Sequence, residues 1–130
     1  MRVDLARASE NVRRLHATFL LELIERAEPK LSTADQGIWL DRVETEHDNL
    51  RAALRWAEEN AEVEIGSRIA AALGRFWLMR GHYSEGRERL AQFLAFAGGS
   101  TPRELRTKLL TGAGILAQNQ GDYSAARCCF

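Results

Sequence analysis

A fifteen-residue segment, 73–87, recurs 40 residues further along the chain as 113–127. Five positions are identical: an early glycine, and the Gly-x-Tyr-Ser-x-x-Arg core that occupies 81–87 and 121–127. Glycine accepts the left-handed conformation that ends a helix. Each copy therefore predicts a helix, a sharp turn and a second helix, and repeats of about this period are typical of stacked helical pairs.

The rest of the chain is also predicted to be helical, because apolar residues recur every three or four positions and strand-like alternation is almost absent. We predict six helices in three antiparallel pairs. The first helix, of about 25 residues, ends at Pro29 because proline removes a helical donor. The second is predicted as one helix that begins after a cap at Ser32 or Thr33 and ends near Asn60. The stripe of the first helix that we expect to face the core comprises Leu5, Ala8, Val12, Leu15, Phe19, Leu23 and Ala27.

Composition excludes several classes of protein. The chain has 130 residues with 18 Lys+Arg and 18 Asp+Glu, so its formal net charge is zero, which argues against direct nucleic-acid binding. No apolar stretch reaches the ~20 residues that span a membrane, and no signal peptide is evident. The adjacent Cys128 and Cys129 do not predict a disulfide, which fits a reducing cytoplasm. We therefore expect a cytoplasmic location.

The repeated pattern resembles the tetratricopeptide repeat over residues 67–130. The resemblance implies an all-α, right-handed array of about three helical hairpins. The chain then divides into an N-terminal long helical hairpin, 1–60, and two tetratricopeptide-like repeats, 61–130, of which the second is truncated. Two positions depart from the family pattern. Gly86 stands where alanine is usual, and Ala117 stands where a large aromatic is expected.

A narrower resemblance lies in the second predicted helix. Residues 39–56, followed by 75–86, are similar to the region that opens the helical repeats of bacterial signal-transduction ATPases, including ATP-dependent LuxR-type, maltose-activator-like transcriptional regulators. The chain has no glycine-rich phosphate loop, so neither ATPase activity nor a cofactor is assigned to it. The resemblance implies a non-catalytic protein-interaction or effector-sensing segment. A free-standing adaptor that binds a peptide is the alternative.

We expect a binding groove on the concave face of the array, which the first helix of each pair lines in stacked helical hairpins. Cations, amides and apolar surface there would suit a peptide carboxylate or a polar small molecule. The competing interpretation is that these are ordinary solvated residues. The predicted groove residues are Arg68, Arg75, Leu78, Met79, Lys108, Thr111, Gln118 and Asn119, with Ala71 and Ile115 beside them.

Several partners are compatible with such a groove: a protein or peptide, the ATPase module of the same parent chain, or a small-molecule inducer. No direct contact with nucleic acid or membrane is expected. The sixth helix leaves open the side that a following helix would cover, with Cys128, Cys129 and Phe130 near it. A homodimer through this open C-terminal helix is therefore a further hypothesis.

One group of acidic and histidine residues is considered as a possible metal site of an enzyme. Glu44 and His47 are three residues apart, as in a carboxylate–histidine half-site, and Glu46 and Asp48 lie beside them. We find no second half-site, so no metal site is predicted and a His/Asp metal hydrolase is only a minor alternative. The favoured interpretation is a solvated helix face with ion pairs such as Asp48–Arg51.

Overall fold

The structure is a computed structural model that describes residues 2–96 and 101–129, with side chains from residue 9 onward. Within these ranges it is all-helical, and no described helix is long and apolar enough to cross a membrane. The predicted division at residue 60 and the right-handed stacking remain predictions. The seven helices are α1 (Arg2–Lys30), α2 (Gln36–Thr45), α3 (His47–Glu59), α4 (Val63–Arg80), α5 (Tyr83–Phe96), α6 (Arg103–Asn119) and α7 (Tyr123–Cys129).

The first predicted helix forms, but a different face of it is buried. Val12, Leu15 and Phe19 are 64%, 70% and 57% exposed, so their predicted place in the core is wrong. The side chains of Leu5 and Ala8 lie outside the described residues, whereas Leu23 and Ala27 are buried as predicted. α1 carries a second apolar stripe, and α1 packs on α3 and α4 with that stripe. The buried stripe consists of Ala17, Leu20, Leu21 and Ile24, and Leu31 is buried just beyond the end of the helix.

The second predicted helix is two helices, because the chain turns at Glu46. Glu46 has φ −93° and ψ 4°, and its N–H bonds the carbonyl of Val43 at 3.0 Å in a tightened last turn. No proline or glycine lies at this turn, so its local sequence does not account for the break. The break separates α2 from α3, and α3 then packs Leu50 and Leu54 into the core against α1 and α4.

The two repeats end their first helices in the same way. Gly81 and Gly121 both adopt left-handed conformations, with φ of 78° and 82°, as the sequence predicts. In each turn the following residue donates its N–H to a carbonyl five residues back, from His82 to Trp77 at 2.8 Å and from Asp122 to Ala117 at 2.9 Å. The repeat is therefore a structural repeat as well as a sequence repeat at these turns.

α4 occupies the centre of the molecule and packs against α1, α3, α5 and α6. Its large side chains Phe76 and Trp77 are completely buried, and so is Ile69. The run Ala70–Ala72 is also buried, and these small side chains let the neighbouring helices approach closely. The core is thus organised around one helix that has neighbours on several sides.

The packing of Trp77 requires a residue without a side chain at Gly86. A Cβ added to Gly86 would lie 2.9 Å from a ring atom of Trp77 and 2.6 Å from a methyl carbon of Leu116. At the equivalent positions of the second repeat, Ala117 replaces the tryptophan and Ala126 replaces the glycine. In the first repeat the large residue on one helix is thus matched by the smallest residue on the other, and in the second repeat alanine occupies both positions.

The two repeats are joined by Arg87 and the turn before α7. The Arg87 guanidinium donates to Asp122 Oδ2 at 2.9 Å and to Gln120 Oε1 at 2.8 Å. Asp122 also accepts a bond from the backbone N–H of Ala125 at 3.2 Å through Oδ1. That backbone hydrogen bond, together with Arg87, holds the pKa of the Asp122 carboxyl below its ordinary value of 3.8.

We expect Trp77→Ala to lower the free energy of unfolding by about 3–5 kcal/mol, because removing a fully buried indole leaves a cavity in the core. Chemical denaturation followed by far-ultraviolet circular dichroism measures this change. The matched control is Trp39→Ala, which removes a half-buried indole from α2 and is expected to have a smaller effect. A loss below about 1 kcal/mol for Trp77→Ala would contradict the packing described here.

We expect Gly86→Ala to destabilise the protein by about 1–3 kcal/mol, because the added methyl group overpacks the site beside Trp77. Gly37→Ala is the control, since a Cβ there meets nothing within 4 Å and alanine is the better helix former. In a Trp77→Ala background the effect of Gly86→Ala should shrink, as measured by a double-mutant cycle. Equal effects of Gly86→Ala in both backgrounds would disprove the compensation.

Stability should depend on pH through Asp122. Its pKa is lower in the folded chain than in the unfolded chain, so its ionised form stabilises the native state. This contribution is complete above about pH 5 and is lost as the pH falls through the folded pKa. The difference in unfolding free energy between the wild type and Asp122→Ala, measured with urea, should therefore narrow below about pH 4. Asp35→Ala is the control, and a difference for Asp122→Ala that is constant with pH would refute the assignment.

Candidate binding groove

A groove of about 660 Å³ lies between the C-terminal end of α1, α4 and α6. We call it the central groove. It brings together side chains from both repeats and from the N-terminal hairpin. The groove is lined by Glu28, Pro29, Ser32, Ala71, Gly74, Arg75, Leu78, Glu104, Thr107, Lys108, Thr111, Gly112 and Ile115.

Half of the predicted groove residues lie in the central groove. Arg75, Leu78, Lys108 and Thr111 line it, as do Ala71 and Ile115, which we placed beside them. The remaining four lie elsewhere: Arg68, Met79, Gln118 and Asn119. Met79 packs against the core, and the amides of Gln118 and Asn119 lie in the exposed last turn of α6. Asn119 donates to the Ile115 carbonyl of its own helix at 2.9 Å.

Arg68 is held in an ion pair outside the groove lining. Its guanidinium donates to both carboxylate oxygens of Glu25, through Nη2 at 2.6 Å and through Nε at 3.1 Å. This is the two-point geometry that arginine makes with carboxylates. The expected set of three cations in the groove is therefore reduced to Arg75 and Lys108, and the bond from Arg68 instead ties α4 to α1.

The central groove has a mixed electrostatic character. Lys108 forms an ion pair with Glu28, and Glu104 adds a second carboxylate to the lining. Arg75 donates from Nη1 to the hydroxyl of Ser32 at 2.6 Å. Among the described residues, no carboxylate lies within ion-pair distance of Arg75. Its positive charge is therefore available to a ligand carboxylate without competition from a neighbouring acid.

The floor of the groove is apolar. A Cβ added to Gly74 would lie 3.9 Å from Gly112 Cα, which places the backbones of α4 and α6 close together at this point. Ala71 and Leu78 continue the floor along α4. The result is an apolar floor with polar and charged side chains around it, a combination typical of ligand-binding clefts.

Sequence reasoning missed the contribution of α1 to the groove. Glu28 and Ser32 lie near the first proline and were interpreted as the end of a helix and a connector. They reach the groove because the last turns of α1 pack beside α4. The position of Pro29 at the end of the first helix was the available signal, since it places the following connector beside the first repeat.

A second polar site lies where α3 meets the turn between α4 and α5. Glu85, at the start of α5, accepts bonds from His47 Nε2 at 2.7 Å, Arg51 Nε at 2.7 Å and Trp77 Nε1 at 2.9 Å. Burial raises the pKa of Glu85, but the bonds from His47 and Arg51 outweigh it, so the pKa lies below the usual value. Glu85 is therefore ionised and acts only as an acceptor.

His47 is buried, so its predicted place on a solvated face is wrong. Its ring is 6% exposed and contacts Phe76 edge-on, with ring centroids 5.1 Å apart. The predicted ion pair of Asp48 with Arg51 is present at 3.0 Å. His82, which the sequence analysis did not connect with this region, lies with its ring centroid 4.6 Å from that of His47. A separation of 35 residues hid this contact from local pattern analysis.

Two further cavities flank the core. One of about 320 Å³ lies between α1 and α3 and is lined in part by His16 and Trp56. The other, of about 470 Å³, is lined by residues of α5, α6 and α7, including Cys129.

Cys128 and Cys129 are free thiols, and Phe130 lies outside the described residues. The predicted dimer through the C-terminal helix stays a prediction.

Comparisons with known proteins give a short local match. A segment of 45 residues is 44% identical to proteins of Mycobacterium bovis and of two strains of Mycobacterium tuberculosis that carry the name "Putative HTH-type transcriptional regulator". The segment is 35% of this chain and 5% of the relatives, so the chain corresponds to a small part of their length. No family model matches the chain, and no solved structure matches it.

Proposed function

We propose that this chain is a non-catalytic, tetratricopeptide-like segment of a bacterial transcriptional regulator, and that it binds a protein or an effector in the central groove. The observation that carries the proposal is the groove itself, which collects Arg75 and Leu78 from one repeat and Lys108 and Thr111 from the next. The regulator context is supported by the local similarity to mycobacterial proteins named as transcriptional regulators.

The repeat geometry supports a tetratricopeptide-like array. The glycine turns at Gly81 and Gly121 have the same handedness and the same closing hydrogen bonds. The short connections, two residues after α4 and three residues after α6, make each following helix an antiparallel neighbour. In such an array the first helices of successive units, here α4 and α6, lie side by side and form a common binding surface. The central groove lies between these two helices.

The lining of the groove favours a ligand that combines an apolar group with a carboxylate. Leu78 and Ile115 offer apolar contact, and the guanidinium of Arg75 is available to pair with an anion. A peptide with an acidic residue or a free C-terminus beside an apolar side chain has this chemistry, and so does a small organic acid. Either class of ligand would serve as the signal that such a segment senses.

The test is selection of peptides from a random library against the purified chain, followed by fluorescence anisotropy with the selected peptides. Thr111→Trp should block the groove, and Arg75→Glu/Lys108→Glu should reverse the charge of its cations. Each change is expected to weaken binding by about tenfold or more, because the first fills the cleft and the second removes the carboxylate partners. Circular dichroism should stay helical for both.

The matched control for charge is Arg103→Glu/Arg106→Glu, which makes the same change of net charge at exposed α6 positions outside the groove lining. It should leave peptide affinity within about twofold of the wild type. Peptides that bind all three variants as tightly as the wild type would overturn the assignment of the groove.

A further inference from the structure

The geometry points to a binding site for a divalent transition metal, of the zinc class, formed by Glu44, His47 and His82. One ligand atom of each residue lies within 4.8 Å of those of the other two. The His82 Nε2 and Glu44 Oε1 atoms are 3.7 Å apart. Ligand atoms around tetrahedral zinc are about 3.3 Å apart, given bonds of about 2.0–2.1 Å. The Glu44–His82 separation is thus close to that of two zinc-bound ligands, and the exposed Glu44 side chain can adjust to a bound ion.

The hydrogen bond of His47 prepares its ring to act as a ligand. Both oxygens of Glu85 already accept bonds from the N–H groups of Arg51 and Trp77, so Glu85 is the acceptor in the 2.7 Å contact and His47 Nε2 donates. In the neutral ring the lone pair then lies on Nδ1, the nitrogen that a metal would take. A carboxylate that accepts the other ring N–H is the usual partner of a metal-bound histidine, and it fixes both tautomer and orientation.

Glu85 is itself held in place from two further directions. Arg51 Nε donates to its Oε1 at 2.7 Å, and Trp77 Nε1 donates to its Oε2 at 2.9 Å. Trp77 is completely buried, so this support is rigid. The position of the His47 ring is therefore set by the core and does not depend on any ligand, which lowers the entropic penalty of metal binding.

The surroundings of the three residues also suit a cation. Among the described residues, no arginine or lysine forms an ion pair with Glu44, whose contact of this kind is with His82. The His82 ring stacks on Phe76, with centroids 5.6 Å apart, so the site has an apolar wall on one side. Glu44 is exposed and His82 is partly exposed, which leaves a path from solvent.

A metal here would join three segments of the chain. Glu44 lies in the last turn of α2, His47 begins α3, and His82 lies in the turn between α4 and α5. Three protein ligands leave a further coordination position for water or an exchangeable ligand. The bound ion would hold the turn at Glu46, between α2 and α3, against the first repeat. Metal binding would therefore stabilise the junction between the N-terminal hairpin and the repeats.

The experiment is isothermal titration of the tag-free chain with ZnCl₂ in a Cys128→Ser/Cys129→Ser background, because the adjacent thiols are competing zinc ligands. We expect one zinc ion per chain. Glu44→Gln and His82→Ala are each expected to weaken binding by about tenfold or more, since each removes one of three ligands. His16→Ala is the control, since His16 is the one histidine of the chain outside the cluster, and it should bind as the parent does.

A second readout is independent of affinity. In proton–carbon NMR spectra, zinc should shift or broaden the ring signals of His47 and His82 and leave those of His16 unchanged. Circular dichroism of each variant establishes that it remains folded. The proposal fails if the cysteine-free chain shows no saturable zinc binding. It also fails if His82→Ala binds as tightly as His16→Ala, or if the ring signals of His16 shift instead.

Discussion

The burial of α4 among α1, α3, α5 and α6 is the packing interaction on which the rest of the structure depends. Phe76 and Trp77 fill the space on one side of this helix, and neither is exposed to solvent. On another side the backbone of Gly74 approaches that of α6 closely enough to form the floor of the central groove. Removing α4 from this arrangement would leave neither the hairpin nor the repeats with a complete core.

Both candidate sites use this same helix. Arg75 and Leu78 point to the central groove, whereas Phe76 and Trp77, which lie between them in sequence, support the cluster of His47 and Glu85. Because side chains on a helix diverge by about 100° per residue, one turn serves two different surfaces. A shift or rotation of α4 would therefore change the geometry of both the groove and the histidine cluster.

The helices of the repeats were predictable from sequence because their limits are set locally. The positive φ values of Gly81 and Gly121 need a residue without a side chain, so sequence alone identifies both turns. The buried face of α1 was not predictable in the same way. Periodicity marks every apolar stripe on a helix, but only the neighbouring helices decide which stripe is covered. Val12 and Leu15 lie on the stripe that remains exposed.

The residues of the candidate sites also differ in whether local sequence predicts their positions. Arg75 and Ile115 could be placed together in a groove from the repeat register, because they lie 40 residues apart at equivalent positions and both line it. The partners of Arg68 could not, since Glu25 lies 43 residues away on a helix outside the repeat. The contact of His47 with Glu85 spans 38 residues and depends on a helix break that no local signal marks. Long-range polar contacts of this kind require the tertiary structure.

The pairing of Trp77 with Gly86 has a consequence for how such repeats diverge. The two positions are nine residues apart, as are Ala117 and Ala126 in the second repeat. A change from one pairing to the other passes through an intermediate that is either overpacked or contains a cavity. Substitutions at the two positions should therefore be accepted together during evolution, with a larger residue on the first helix accompanied by a smaller one on the second. Among related sequences, side-chain volume at these two positions should be anticorrelated, even where neither identity is retained.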